Sequence, residues 1–260
     1  MRHPQIAAFA LVVGLSTSAF GEDPSVAPDN SVSSMDFISQ GMPAYDRVWT
    51  TSDLKEAVDT LKATAAKDPT LLPRRGSLKS GQLFDRIISQ ENLASINVAP
   101  GLLQKLGFAG SFLQSYGNLF IIYGTASSKE HTYDAEIVDI ATMVLEAMSD
   151  ALEIVDQNYP TMADTDPQKE KLSAYKQRIQ KGLATTMGGL LFVLADHSDM
   201  RTSELTRLAY AIRPYVLRQY YNIQTGTLQE MKTKIQGLIA TETDSSYTEA
   251  LKQLETSLPE

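Results

Sequence analysis

Residues 133–159, YDAEIVDIATMVLEAMSDALEIVDQNY, decide the fold. Ile137, Ile140, Val144, Met148, Ala151 and Val155 recur at intervals of three and four, the period of one helical face, and Pro160 ends the run. Toward the C-terminus the same period predicts a long helix over 168–195 and another over 203–221 with Pro214 as a kink or break. Two shorter helices are expected around 228–239 and 247–258.

Toward the N-terminus, Asp53 and Glu56 stand in a capping relation. Leu54, Val58, Leu61 and Ala65 then follow at helical spacing until Asp68-Pro69. Residues 69–81, with Pro69, Pro73, Gly76, Gly81 and the basic Arg74, Arg75 and Lys79, read as an exposed connection. A helix resumes near Gly81, and Pro100 suits the first position of the next. Residues 118–123 have the β-branched and aromatic content of a buried strand, but no other segment offers a partner, so helix is the preferred reading. The fold class expected is all-α: a single-domain bundle of about seven to nine helices over 46–258, with mostly antiparallel neighbours.

The first 21 residues read differently. Arg2 and His3 precede an apolar run over 6–15, and Ala19-Phe20-Gly21 offers a small-x-small cleavage site, the pattern of a secretory signal peptide. The run is about half the roughly 20 residues that a membrane span needs. Residues 22–45, rich in Ser, Pro, Asp and Asn, are expected to form a flexible leader. With no Cys, stability must come from packing, and the expected location is the periplasm or the extracellular space.

Charge is concentrated. The chain carries a formal net charge of −8, which argues against nucleic acid as a partner. Ten acids lie between Lys129 and Lys169 with no Lys or Arg among them, so this segment carries the negative balance. Asp139, Glu146, Asp150 and Glu153 fall on one helical face, a stripe that could hold a cation or a basic partner. The competing reading is a solvated face neutralised by the next helix, where Lys169, Lys171, Lys176, Arg178 and Lys181 cluster. A calcium loop at Asp164-x-Asp166 is disfavoured, since Gly and the terminal Glu are missing.

Arg207, Tyr210, Arg218 and Tyr221 share a face if the helix passes through Pro214, which would suit anionic sugars or acidic peptides. Core packing of the tyrosines with snorkelling arginines is the alternative. The loop from Arg74 to Ser77 invites the same comparison. Gly110, Gly117 and Gly124, and Gly182 and Gly189, recur at seven residues, which predicts two helices crossing tightly in the core. Residues 183–195 are nearly uncharged but too few to span a bilayer, which favours a buried helix over a concealed insertion segment.

Catalytic motifs are sparse. His131 and His197 have no second His at helical zinc spacing, and neither metal nor cofactor is expected. Asp196-His197-Ser198-Asp199 reads as a helix C-terminal turn. Ser52-x-x-Lys55 matches a serine-lysine pattern, but its companion motifs are missing, so it reads as a helix start. The function expected is an exported helical protein that binds another protein through the acidic helix or the Tyr/Arg face, with a basic partner and an inhibitor- or immunity-like role as its plausible subclass. The alternatives are a hydrolase using His131 or His197 with carboxylates, and a structural envelope component. A histidine meeting two carboxylates in one cleft would favour the hydrolase.

Overall fold

A computed structural model describes residues 41–44, 46–76, 80–127, 131–195 and 200–259. The expected signal peptide, most of the expected leader, and the segment containing His197 lie outside the described residues.

The described residues are helical with no strand among them. In chain order the helices are α1 (Thr51–Lys67), α2 (Ser80–Ile87), α3 (Gln90–Val98), α4 (Leu102–Ser127), α5 (Asp134–Asn158), α6 (Pro167–Ala195), α7 (Thr202–Gln219), α8 (Thr225–Thr241) and α9 (Ser245–Glu255). Their number falls within the range the sequence predicts, and residues 118–123 lie inside α4 as helix.

The stretch that decides the fold is α5, at the centre. It packs against α4 on one side and against α6 and α7 on the other, and α4 in turn carries α1 and α3. Its apolar side chains from Ile137 to Val155 are buried on nearly every face. Burying each large one contributes roughly 1.5–3 kcal/mol relative to exposure, which is why so central a helix is apolar beyond a single stripe. The core is contiguous from Trp49 to Leu258.

Helix ends show how the chain is punctuated. The capping box of α1 is Thr50 with Asp53, one turn earlier than the sequence suggests, because Asp53 also receives Arg47 in a two-pronged ion pair. Asp166 accepts the Gln168 amide beside Pro167, and Asp164 pairs with Lys169, so Asp164-x-Asp166 starts α6. Helix α3 has no counterpart in the sequence reading. It is short, and its buried Asn92 bonds the Trp49 amide and the Arg86 carbonyl. Beyond the end of α3, Pro100 precedes α4 by two residues instead of opening it. Residues 41–44 are docked, since Thr60 donates to the Gly41 carbonyl and the Trp49 indole to that of Ala44.

Buried tyrosines tie connections to the core. Tyr116 donates to Ile87, Tyr123 to Pro73, Tyr133 to Pro69 and Tyr247 to Leu194, each to a backbone carbonyl. The expected tight crossing of the two glycine-bearing helices does not form. Helix α4 packs chiefly against α5, and its meeting with α6 is slight, through the Tyr175 hydroxyl on the Leu106 carbonyl beside Gly110. Gly188 has open space where a Cβ would stand.

Candidate functional site

The two charged patterns seen separately in the sequence face each other. Asp134 meets Arg201, Asp139 meets Arg207, Glu146 and Glu153 meet Arg218, Ser149 meets Gln219, and Asp156 meets Tyr221 and Asn222. The separation along the chain stays between 65 and 72 residues throughout. A constant offset means that α5 and α7 run parallel, with α6 as the return helix between them. By contrast α8 and α9 are antiparallel, linked by Gln236 to Glu255 and Lys232 to the Pro259 carbonyl.

At the C-terminal half of this seam, one guanidinium serves three carboxylates. Arg218 donates to Glu153 at 2.7 and 3.1 Å and to Glu146 at 3.1 Å, with Asp150 at 3.8 Å. Burial alone would lower the Arg218 pKa, but the bonds to Glu153 and Glu146 more than offset it and hold the cation firmly. Asp150 behaves oppositely. Burial, with the Glu146 charge beside it, pushes its pKa up to about 6. Lys176 of α6 neutralises Asp156, as a hairpin would bring about, whereas Glu153 goes to Arg218.

The N-terminal half is drier and richer in cations. Asp134 is fully buried and accepts from Ser127 and from the Arg201 amide at 2.8 Å. Arg207 bonds Asp139, Glu204 and the Ala135 carbonyl, and burial lowers its pKa. From the α1–α2 connection, the Arg75 amide donates to buried Glu136 at 2.6 Å and its side chain lies 3.5 Å from Asp139.

Helix α7 continues through Pro214. The four Tyr/Arg residues then divide: Arg207 and Arg218 turn inward onto α5, while Tyr210 and Tyr221 stay outside, 41% and 57% exposed. With Leu217 at 50% and Tyr220 at 48%, the tyrosines make an apolar row. Tyr210, Pro214, Leu217 and Tyr221 are spaced four, three and four, so the sequence carries the periodicity, but Leu217 and Tyr220 are not unusual alone and give no separate signal. Arg201 carries no local signal, since its partner is 67 residues away.

His131 sits at the α4–α5 connection with φ of 54°, its Nδ1 3.3 Å from Asp134. Ser127 donates to the same carboxylate. The carboxylate therefore stands between serine and imidazole, whereas an activated serine needs the imidazole between serine and carboxylate. Compared with protein-family models, curated proteins and solved structures, the chain shows no significant match to any of them.

Proposed function

We propose that this protein is an exported helical binding module that recognises a partner protein through the outward face of α7. The observation that carries the reading is the row Tyr210, Leu217, Tyr220 and Tyr221, large apolar side chains left in solvent on one helix face and its terminal turn. Such a patch, rimmed by polar groups, is the usual mark of a contact surface, and tyrosine supplies contact area at low entropic cost. The signal-peptide pattern of residues 1–21 supports export.

The charge beside the row sets the partner's chemistry. Glu146, Asp150, Glu153 and Asp156 are matched there by only Arg218 and Lys176, which leaves two negative charges in excess. The matching surface is an apolar or aromatic segment flanked by Lys or Arg. Selection of random displayed peptides on the purified protein tests this, with enrichment of basic-aromatic sequences expected and lost in a Leu217→Asp, Tyr221→Asp variant. Absence of enrichment, equal enrichment on the variant, or self-association through this face overturns the reading.

A further inference from the structure

We infer, building on the contact surface proposed for α7, that Arg213 holds a carboxylate of the bound segment. The partner then crosses the apolar row in one direction, with its Lys or Arg over α5 and its acid over Arg213. Arg213 stands three residues after Tyr210 and four before Leu217, one turn from each of these exposed side chains. At about 100° per residue, Arg207 and Arg218 lie about 70–90° to one side of the line through Tyr210 and Leu217, and Arg213 about 50° to the other. The row therefore runs between two differently charged flanks. On the α5 side Arg207 is engaged by Asp139 and Glu204, and Arg218 by Glu146 and Glu153, with an anionic surplus beside them. On the other side the Arg213 guanidinium is not engaged.

Among the described residues, every other arginine has a carboxylate, a carbonyl or an aromatic ring as its partner. Arg213 has none of these. Its Nε is buried without an acceptor, and it alone of the three nitrogens is both buried and unbonded, so the Nη pair stays within reach of solvent. Helix α9, which packs against α7, carries Glu249 and Glu255, but these accept from Gln253 and Gln236. The fold thus holds a charged fork at the edge of an apolar surface and supplies no acid to meet it.

The free fork selects the partner. A carboxylate takes two parallel N–H bonds from a guanidinium, which fixes direction as well as adding strength. A phosphoryl group, with about two negative charges, would bring more charge than one guanidinium answers, close to the anionic surplus across the row. A segment with bases on both sides of its aromatic would set one of them against Arg213, and that repulsion discriminates against it.

Random peptides displayed with free C-termini, and selected in parallel on the wild-type, Arg213→Gln and Arg213→Glu proteins, test this. The wild-type pool is expected to carry a carboxylate at a fixed spacing from its aromatic, on the side away from its Lys or Arg. A recurring Asp or Glu assigns a side-chain carboxylate, and convergence of the aromatic on the last residues assigns the chain terminus. On Arg213→Gln the preference for the carboxylate should vanish while the basic and aromatic positions persist, and on Arg213→Glu Lys or Arg should replace it. A synthetic wild-type-selected peptide should bind Arg213→Gln about tenfold or more weakly. It should bind Arg178→Gln, which removes a guanidinium beside Tyr175 on α6, as tightly as wild type. Identical pools on wild type and Arg213→Gln, or basic-aromatic peptides with no carboxylate preference, overturn the role of Arg213 and leave the contact surface standing. An empty wild-type pool, or one unchanged by Leu217→Asp, Tyr221→Asp, overturns the surface and the role of Arg213 with it. Thermal melting reports whether the Gln variant folds, and Arg213→Lys, which keeps the charge without the fork, should retain the acid in its pool with weaker binding.

Discussion

The two ends of the α5–α7 seam use the same residue types to different effect. At the N-terminal end Asp134 is wholly buried, Glu136 is 3% exposed, and Arg74, Arg75, Arg201 and Arg207 gather around them. At the C-terminal end Glu146, Asp150 and Glu153 share Arg218 and remain 21%, 23% and 39% exposed. Burial makes the first end a structural clamp in which Arg74, Arg75, Arg201 and Arg207 balance Asp134, Glu136, Asp139 and Glu204, and solvent makes the second a softer junction whose surplus is anionic. One acidic helix is thus neutralised at one end and left anionic at the other, which its sequence alone, a continuous run of acids, does not suggest.

Removing the central carboxylate of each end should expose this difference most. Asp134→Ala leaves the Arg201 amide and the Ser127 hydroxyl without their acceptor inside the protein, and it should cost about 3–5 kcal/mol. Glu153→Ala, half in water, should cost less than about 1 kcal/mol. Urea unfolding of both variants measures the gap, and equal costs would break the comparison.

Arg218→Met comes next. It leaves three carboxylates facing one another without their cation, but with water close by, so a loss of about 1–3 kcal/mol is expected, below that of a buried pair. Added salt at about 1 M shortens the screening length to roughly 3 Å and should restore part of that loss, while the Asp134→Ala defect, a matter of unsatisfied buried groups, should not respond. A salt response of equal size in both variants would contradict the assignment of one end as dry and the other as wet.

How much of this was legible before folding depends on distance along the chain. The period of α5, the caps near Asp166 and the helical nature of 118–123 are local, so neighbouring residues carry the signal. The acidic stripe and the Tyr/Arg face were also legible, each as half of an interaction. Their pairing was not, because it depends on α6 returning so that α7 lies parallel to α5 about 67 residues on. Helix α3 was missed because its stability comes from Asn92 bonding across to Trp49 and Arg86, and not from a stripe of its own. The glycine spacing was read as a contact between α4 and α6, but small residues state only that something approaches closely. The main neighbour of α4 is α5.

Protonation sharpens the comparison further. Asp150, with its pKa pushed up to about 6, binds its proton more readily folded than unfolded, where a carboxyl titrates near 3.8. Its effect is therefore a penalty that is fully present above about pH 6 and is relieved as the pH falls toward 4, which is the reverse of a salt-bridged aspartate. Asp150→Asn should raise stability at pH 7 by about 1 kcal/mol after allowing for solvent, and leave it nearly unchanged at pH 4. Thermal unfolding across pH 4–7 checks the slope. A variant that tracks the wild type in parallel would show that the junction around Arg218 is not strained by its third carboxylate.

Tyr221→Phe is the smallest change and separates two roles at the wet end. The Tyr221 hydroxyl donates to Asp156 at 3.1 Å from a side chain that is 57% exposed, and Asp156 keeps Lys176 and Asn222 when the hydroxyl is removed. Stability should therefore change by less than about 0.5 kcal/mol. The ring remains in the outward row with Tyr210, Leu217 and Tyr220, so peptides selected on the wild-type protein should bind the variant within about threefold, whereas Tyr221→Asp removes the apolar surface and should abolish binding. If the Phe variant also loses binding, recognition runs through the hydroxyl and the acidic junction behind it, and the apolar row is not the contact surface.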